Sequence, residues 1–180
     1  YFFMKPFIFN RRTIFLGLGL SAVVGCAKEA KLGPAEMYEL LSKNARGFPQ
    51  HIDKIKLIPI FLMFDPQCPH CAKLWNSTQT IKKNFYWIPV SVMRGSRPIS
   101  AAILGAKDSA AMFEAIKSGR HIDAPTSDHM LSFIDENTKI LGSADDATGV
   151  PFMVGKKSDN SVINLQGYRS ATEIQKSFNF

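Results

Sequence analysis

Cysteine is scarce in this chain, with three among 180 residues. That is too few to staple a small secreted scaffold and one short of a four-cysteine zinc site. No repeat or low-complexity tract occurs. A basic stripe interleaved with aromatics, as a single-strand nucleic-acid surface requires, is missing too. Charge is in modest excess of one sign, 22 Lys+Arg against 15 Asp+Glu for a net +7, but Lys82-Lys83 and Lys156-Lys157 are isolated pairs that read as solvated faces. Nucleic acid is therefore not an expected partner. With 46% hydrophobic and 21% charged residues the chain can build a core, and its length suits one domain with a small appendage.

The first residues read as a targeting segment. Lys5, Arg11 and Arg12 precede TIFLGLGLSAVVG, residues 13–25, which carry no charge. A basic region before a short apolar run is the pattern of a secretory signal, and this run falls short of the roughly 20 residues a membrane span needs. Val23-Val24-Gly25-Cys26 resembles the lipobox of bacterial lipoproteins, which makes Cys26 a candidate lipidation site. Ordinary cleavage nearby and a retained anchor are the alternatives. Without residues 1–25 the basic count drops by three to 19, a net +4. The expected organisation is a signal at 1–25, a leader with one short helix at 26–55, and a folded domain at 56–180.

Within the leader, PAEMYELLSKN (34–44) places Met37, Leu40 and Leu41 on one helical face, and Gly47 and Pro49 end it. KLIPIFLMF (56–64) is a dense apolar run suited to a buried strand, with Pro59 marking a break or edge. A helix is expected from Pro69 to Asn84, then a strand over FYWIPVSVM (85–93), a βαβ unit with both sheet faces covered. Helical patterns follow at Ser100–Ala106, Ser109–Ser118 and Ser127–Thr138, a helical insertion of about 95–142. The chain returns to β at Pro151–Val154 and Ser161–Leu165, and closes with a helix over Ala171–Phe178. The fold class is α/β. The order β-α-β, helices, β-β-α is that of a thioredoxin fold with a helical insertion between its βαβ and ββα units.

The chemistry concentrates in Cys68-Pro69-His70-Cys71, where the apolar strand ends and a helix begins. A thiolate at a helix start gains from unpaired backbone N–H groups and the helix dipole. That lowers the pKa of Cys68 and makes it both a nucleophile and a good leaving group. Cys71, one turn further in, is the expected buried resolving thiol. Pro69 fits the first helical turn without removing a useful donor. His70, between the two, is expected to stabilise the thiolate by charge or hydrogen bonding. A c-type haem attachment would need His where Ala72 stands. Structural zinc would need two ligands from Cys26, His51, His121 and His129, which lack tight spacing, so no metal is expected. Gly149-Val150-Pro151-Phe152 precedes the third strand. An interior strand proline needs a reason; a cis Val150–Pro151 peptide would turn the Val150 backbone toward the dithiol, and a trans proline opening the strand is the alternative.

From about Lys56 to Phe180 the chain resembles the DsbC/DsbG group of bacterial periplasmic thioredoxin-fold disulfide oxidoreductases. Asp65-Pro66-x-Cys68-Pro69-x-Cys71 resembles that group's active-site approach, Ser96 to Asp108 its entry into the inserted helices, and Gly149-Val150-Pro151 its cis-proline loop. The resemblance implies Cys68 and Cys71 as the redox pair, with Asp65 and Pro66 supporting the site. Two features depart. Val150 stands where the group typically has Thr, so that Cys-Pro-His-Cys before a Val-Pro loop is similar instead to the oxidase DsbA. Only about 30 residues separate Cys26 from Lys56, enough for a helix but not for the group's dimerisation domain, so a monomer is expected.

The resulting expectation is a periplasmic oxidoreductase, anchored if Cys26 is lipidated, that exchanges disulfides with cysteine-containing exported proteins and with a membrane or periplasmic redox partner. The dipeptide favours oxidation; most of the resemblance favours reduction or isomerisation. Sulfur exchange requires no organic cofactor. A binding or assembly protein with a static disulfide, and a metal-delivery protein, are the other classes open to the sequence.

Overall fold

The computed structural model describes residues 31–51, 57–120 and 126–180; residues 1–30, including Cys26 and the expected signal, lie outside them, as do Lys56 and His121. A five-stranded sheet runs in the order β1-β3-β2-β4-β5. Its strands are β1 (Phe48–Pro49), β2 (Pro59–Phe64), β3 (Asn84–Pro89), β4 (Phe152–Lys156) and β5 (Val162–Gln166). The helices are α1 (Pro34–Asn44), α2 (Pro69–Gln79), α3 (Ser96–Gly105), α4 (Ser109–Lys117), α5 (Asp128–Ser143) and α6 (Ala171–Phe178).

β2 is the central strand. It pairs parallel with β3, which α2 connects to it, and antiparallel with β4, and only its first residue, Pro59, escapes full burial. A strand covered on both faces has no reason to alternate polar and apolar residues, which is why PIFLMF is apolar throughout. Alternation shows instead in where the side chains go. Ile60, Leu62 and Phe64 join the core formed with α2, α4 and α6, whereas Phe61 and Met63 join a second core under α1 and α5. The first core is aromatic: Trp75 lies 4.8 Å from Trp87 and 5.0 Å from Phe113, and Phe113 lies 4.6 Å from Phe64. Phe113 is the one residue that α4 buries fully in this cluster, with Ala110, Met112 and Ile116 packed against it, and Glu114 and Lys117 bond Trp75 and Asn76 of α2.

The domain starts earlier than the sequence reading placed it. α1 and β1 fall in the stretch read as a leader, yet Met37, Tyr38 and Leu41 are buried in the second core and Phe48 in the first. β1 pairs antiparallel with β3. Gly47 permits the approach, since a Cβ there would sit 2.2 Å from the Trp87 carbonyl oxygen. Glu36 accepts a bond from the Gly33 N–H at 2.8 Å, fixing the start of α1.

Element ends also differ, each for a local reason. α2 stops at Gln79, short of Asn84, where the Thr78 hydroxyl bonds back to the Leu74 and Trp75 carbonyls, and Asn84 opens β3 with its amide on the Leu57 carbonyl. β3 ends at Pro89 rather than Met93, because the Val92 and Met93 amides are captured by the Asp65 carboxylate. α3 begins at Ser96, four residues before the expected start, and α5 continues to Ser143, past Thr138, where Ile140 and Leu141 pack into the second core. The insertion therefore spans α3–α5 between β3 and β4, where the sequence placed it. Among the described residues no helix is long and apolar enough to cross a membrane.

Candidate active site

The C-terminal end of β2 delivers Asp65-Pro66-Gln67-Cys68 to the start of α2. Cys68 is the residue that caps α2, with extended backbone; its own N–H donates to the Asp65 carbonyl at 3.0 Å, while its carbonyl accepts from Cys71 N–H at 3.0 Å and Ala72 N–H at 3.2 Å. Pro69 occupies the first turn, where its missing N–H costs no hydrogen bond. Both cysteines are free thiols, 7% exposed at Cys68 and fully buried at Cys71. The pair is thus asymmetric: Cys68 keeps a small exposure, and Cys71, one turn further in, has none.

This asymmetry sets their acidities. The Cys71 thiol donates to Cys68, and that bond is the main reason the Cys68 pKa falls to about 6; partial burial opposes the drop, and the Cys71 and His70 backbone N–H groups add to it. Burial drives Cys71 the other way and the bond to Cys68 reinforces the rise, so Cys71 keeps its proton while Cys68 loses its own. His70 contributes less than the sequence suggested. Its backbone N–H acts before its charge, which is the smallest of the contributions, and the side chain is exposed.

Two walls flank Cys68. On one, Asp65 is completely buried. Its Oδ1 accepts from Gln67 N–H at 2.9 Å, and its Oδ2 accepts from the Val92 and Met93 N–H groups, each at 2.9 Å, and from the Ser96 hydroxyl at 2.6 Å. The carboxylate therefore ties the cysteine loop to the turn that leads into α3. Pro66 is buried beside it, whereas the Val92 and Met93 side chains are exposed at 47% and 41%, an apolar rim tied to the loop that carries Cys68. On the other wall the Val150–Pro151 peptide is cis. The Cys68 sulfur lies 3.7 Å from the Val150 carbonyl oxygen, to which the thiol donates while Cys68 is protonated. Gln166, at the end of β5, bonds to the backbone of Thr148, Gly149 and Pro151. The structure thus brings together Asp65, Pro66, Cys68, Pro69, His70, Cys71, Val150 and Pro151.

Among the described residues the other histidines, His51 and His129, lie elsewhere. His51 follows β1, and His129 packs edge-on against Phe133 on α5 at 4.2 Å. Among the described residues no three His, Cys, Asp or Glu side chains form a metal-ligand set. Sequence reasoning missed the part played by Ser96, the Val92–Met93 amides and Gln166. Pro98 signalled the earlier helix start: proline is favoured in a first helical turn, which places Ser96 at the entrance of α3. Gln166 carried a weaker signal, an amide side chain between an apolar strand and Gly167.

Sheet order, insertion and a dithiol at a helix start define the class: a thioredoxin-fold domain with a paired-cysteine site. No family model matches the chain, and no curated protein matches it in sequence. Among solved structures it is similar to Proteus mirabilis ScsC in a compact conformation (TM-score 0.63, 16% identity, covering 85% of this chain and 82% of that one). It is also similar to a variant of alpha-DsbA1 of Wolbachia pipientis in which two cysteines are replaced by alanine (TM-score 0.57, 12% identity, 79% and 94%). The disulfide interchange protein of Neisseria gonorrhoeae is a third (TM-score 0.54, 16% identity, 68% and 86%). At such identities the shared property is the fold.

Proposed function

We propose that this protein is a thiol–disulfide oxidoreductase that acts on cysteines of exported proteins and runs in the oxidising direction. The observation that carries the reading is the paired acidity at the start of α2: a Cys68 with pKa about 6, which keeps 7% exposure, beside a fully buried Cys71 held protonated. Disulfide interchange, the activity in the name of the Neisseria structure, is the activity assigned here.

In the oxidised protein Cys68 and Cys71 are joined. A partner thiolate attacks the Cys68 sulfur, forming a mixed disulfide; the Cys68–Cys71 bond breaks, and Cys71 leaves with the electron pair and takes up a proton. The partner's second thiolate then attacks the partner sulfur of that mixed disulfide, and Cys68 departs as a thiolate. Two partner thiols have become a disulfide and the Cys68–Cys71 pair has been reduced by two electrons. A membrane or periplasmic redox partner removes those electrons. A low pKa at the departing Cys68 stabilises the reduced form, which makes the disulfide the stronger oxidant.

Asp65 holds the cysteine loop, and the Val150 backbone docks the partner chain. The Asp65-Pro66-x-Cys68 approach and the Ser96–Asp108 segment support kinship with the DsbC/DsbG group; Cys-Pro-His-Cys and Val150-Pro151 support DsbA-like chemistry. The protein acts as a monomer in the periplasm, with Cys26 as the lipid anchor point. The test is exchange with a reduced two-cysteine peptide. Cys68→Ser abolishes it, and Cys71→Ser, offered the oxidised peptide instead, accumulates the mixed disulfide as its Cys68 thiolate attacks the peptide's disulfide and releases the peptide's second thiolate; exchange retained in the Cys68 variant overturns the assignment.

A further inference from the structure

Gln166 makes three hydrogen bonds to one short stretch of backbone. Its Oε1 accepts from Thr148 N–H at 3.1 Å, and its Nε2 donates to the Gly149 carbonyl at 3.1 Å and to the Pro151 carbonyl at 3.3 Å. These contacts straddle Val150 and leave its own N–H and carbonyl to other partners. The neighbouring Gly167 N–H adds a second bond to the Pro151 carbonyl at 2.8 Å, so the grip is shared between a side chain and the end of β5. Asn164, two residues earlier on the same face of β5, bonds Asp146 at 2.7 Å and braces the start of the loop.

From this geometry we infer that Gln166 is a positioning residue, fixing the Val150 backbone in the register at which a cysteine-containing polypeptide pairs beside Cys68. The inference rests on the oxidoreductase reading above. A primary amide suits the task because it offers an acceptor for one N–H and two donor hydrogens for two carbonyls. Glutamate keeps the acceptor but turns an oxygen toward the Gly149 and Pro151 carbonyls. Leucine removes all three contacts. Neither change touches the dithiol. A substrate that presents a peptide backbone should feel the loss, and one that presents only sulfur should not.

The experiment uses the full oxidised chain, its Gln166→Leu variant and its Gln166→Glu variant. Reduction by a two-cysteine peptide is compared with reduction by dithiothreitol, which has no peptide backbone. Both variants are expected to lose about tenfold or more in the second-order rate constant of reduction by the peptide, chiefly through a higher half-saturating peptide concentration, and to keep their dithiothreitol rate within about twofold. Parallel losses toward both reductants would make Gln166 a merely structural residue, and an unchanged half-saturating peptide concentration in both variants would also overturn the inference. Should the leucine variant fail to fold, the near-isosteric glutamate variant decides the matter by the same two rates. A wild-type chain that reacts with neither reductant removes the oxidoreductase reading itself, and this inference with it.

Discussion

The two walls beside Cys68 are built on different principles. The Asp65 wall is held by a buried carboxylate saturated by four donors, whereas the Val150 wall is held by a neutral, partly buried amide through three bonds of 3.1–3.3 Å. Buried donors stripped of a charged acceptor are costly, so the first wall is bound into the folding of the domain. A neutral amide near solvent can be perturbed at small cost. On the function proposed above, one wall fixes the nucleophile relative to the sheet and the other presents backbone to a docking partner. The difference separates residues that keep the site standing from residues that let it choose a partner.

Removing the Asp65 carboxylate should have the largest effect on that contrast. Asp65→Ala leaves the Gln67, Val92 and Met93 N–H groups without their acceptor, which costs ~3 kcal/mol or more of stability. Chemical denaturation should show the loss, and exchange with peptide and with dithiothreitol should fall together. A variant as stable as the parent would break the distinction between the walls. Gln166→Leu should show the opposite pattern, with little change in stability.

A smaller effect is expected at Gly47, which lies outside both walls and serves as a control. The 2.2 Å clash its Cβ would make with the Trp87 carbonyl should destabilise Gly47→Ala by about 1–3 kcal/mol without moving the Cys68 acidity. Alkylation of the reduced protein should report that acidity directly, its rate rising with pH around a midpoint of about 6. The folded pKa lies below the unfolded thiol value of about 8.5, so the thiolate's stabilisation of the reduced fold is full above the unfolded value. It shrinks as pH drops below that value and is gone once pH has fallen through about 6. Thermal unfolding of the reduced form should follow that trend as the pH is lowered, while Cys68→Ser should remove this contribution to it. His70→Ala should move the alkylation midpoint upward only slightly, since the His70 charge is the smallest contribution; a large shift would return to the imidazole the role that the Cys71 thiol holds here.

Much of this arrangement was legible in the sequence because it depends on local pattern. The apolar run of β2, the Cys-Pro-His-Cys at the head of α2 and the Val-Pro before β4 each carry their meaning within a few residues. The source of the Cys68 acidity was less legible. His70 sits between the cysteines in sequence, but acidity depends on which donors reach the sulfur, and the foremost proves to be Cys71. Tertiary contacts were hidden for a related reason. Nothing local to Val92 or Met93 marks an end to β3; the carboxylate that captures their amides lies 27 and 28 residues earlier. Likewise, PAEMYELLSKN reads as a leader helix until Met37 and Leu41 are seen packed in one core with Phe61 and Met63 of β2.

The central claim is that an acidic Cys68 backed by a protonated Cys71 makes the pair an oxidant. Its most direct test is the reduction potential of the Cys68–Cys71 disulfide, measured by equilibration with glutathione. A value near that of DsbA, about −120 mV, is expected; a value near that of thioredoxin, about −270 mV, would contradict an oxidising pair.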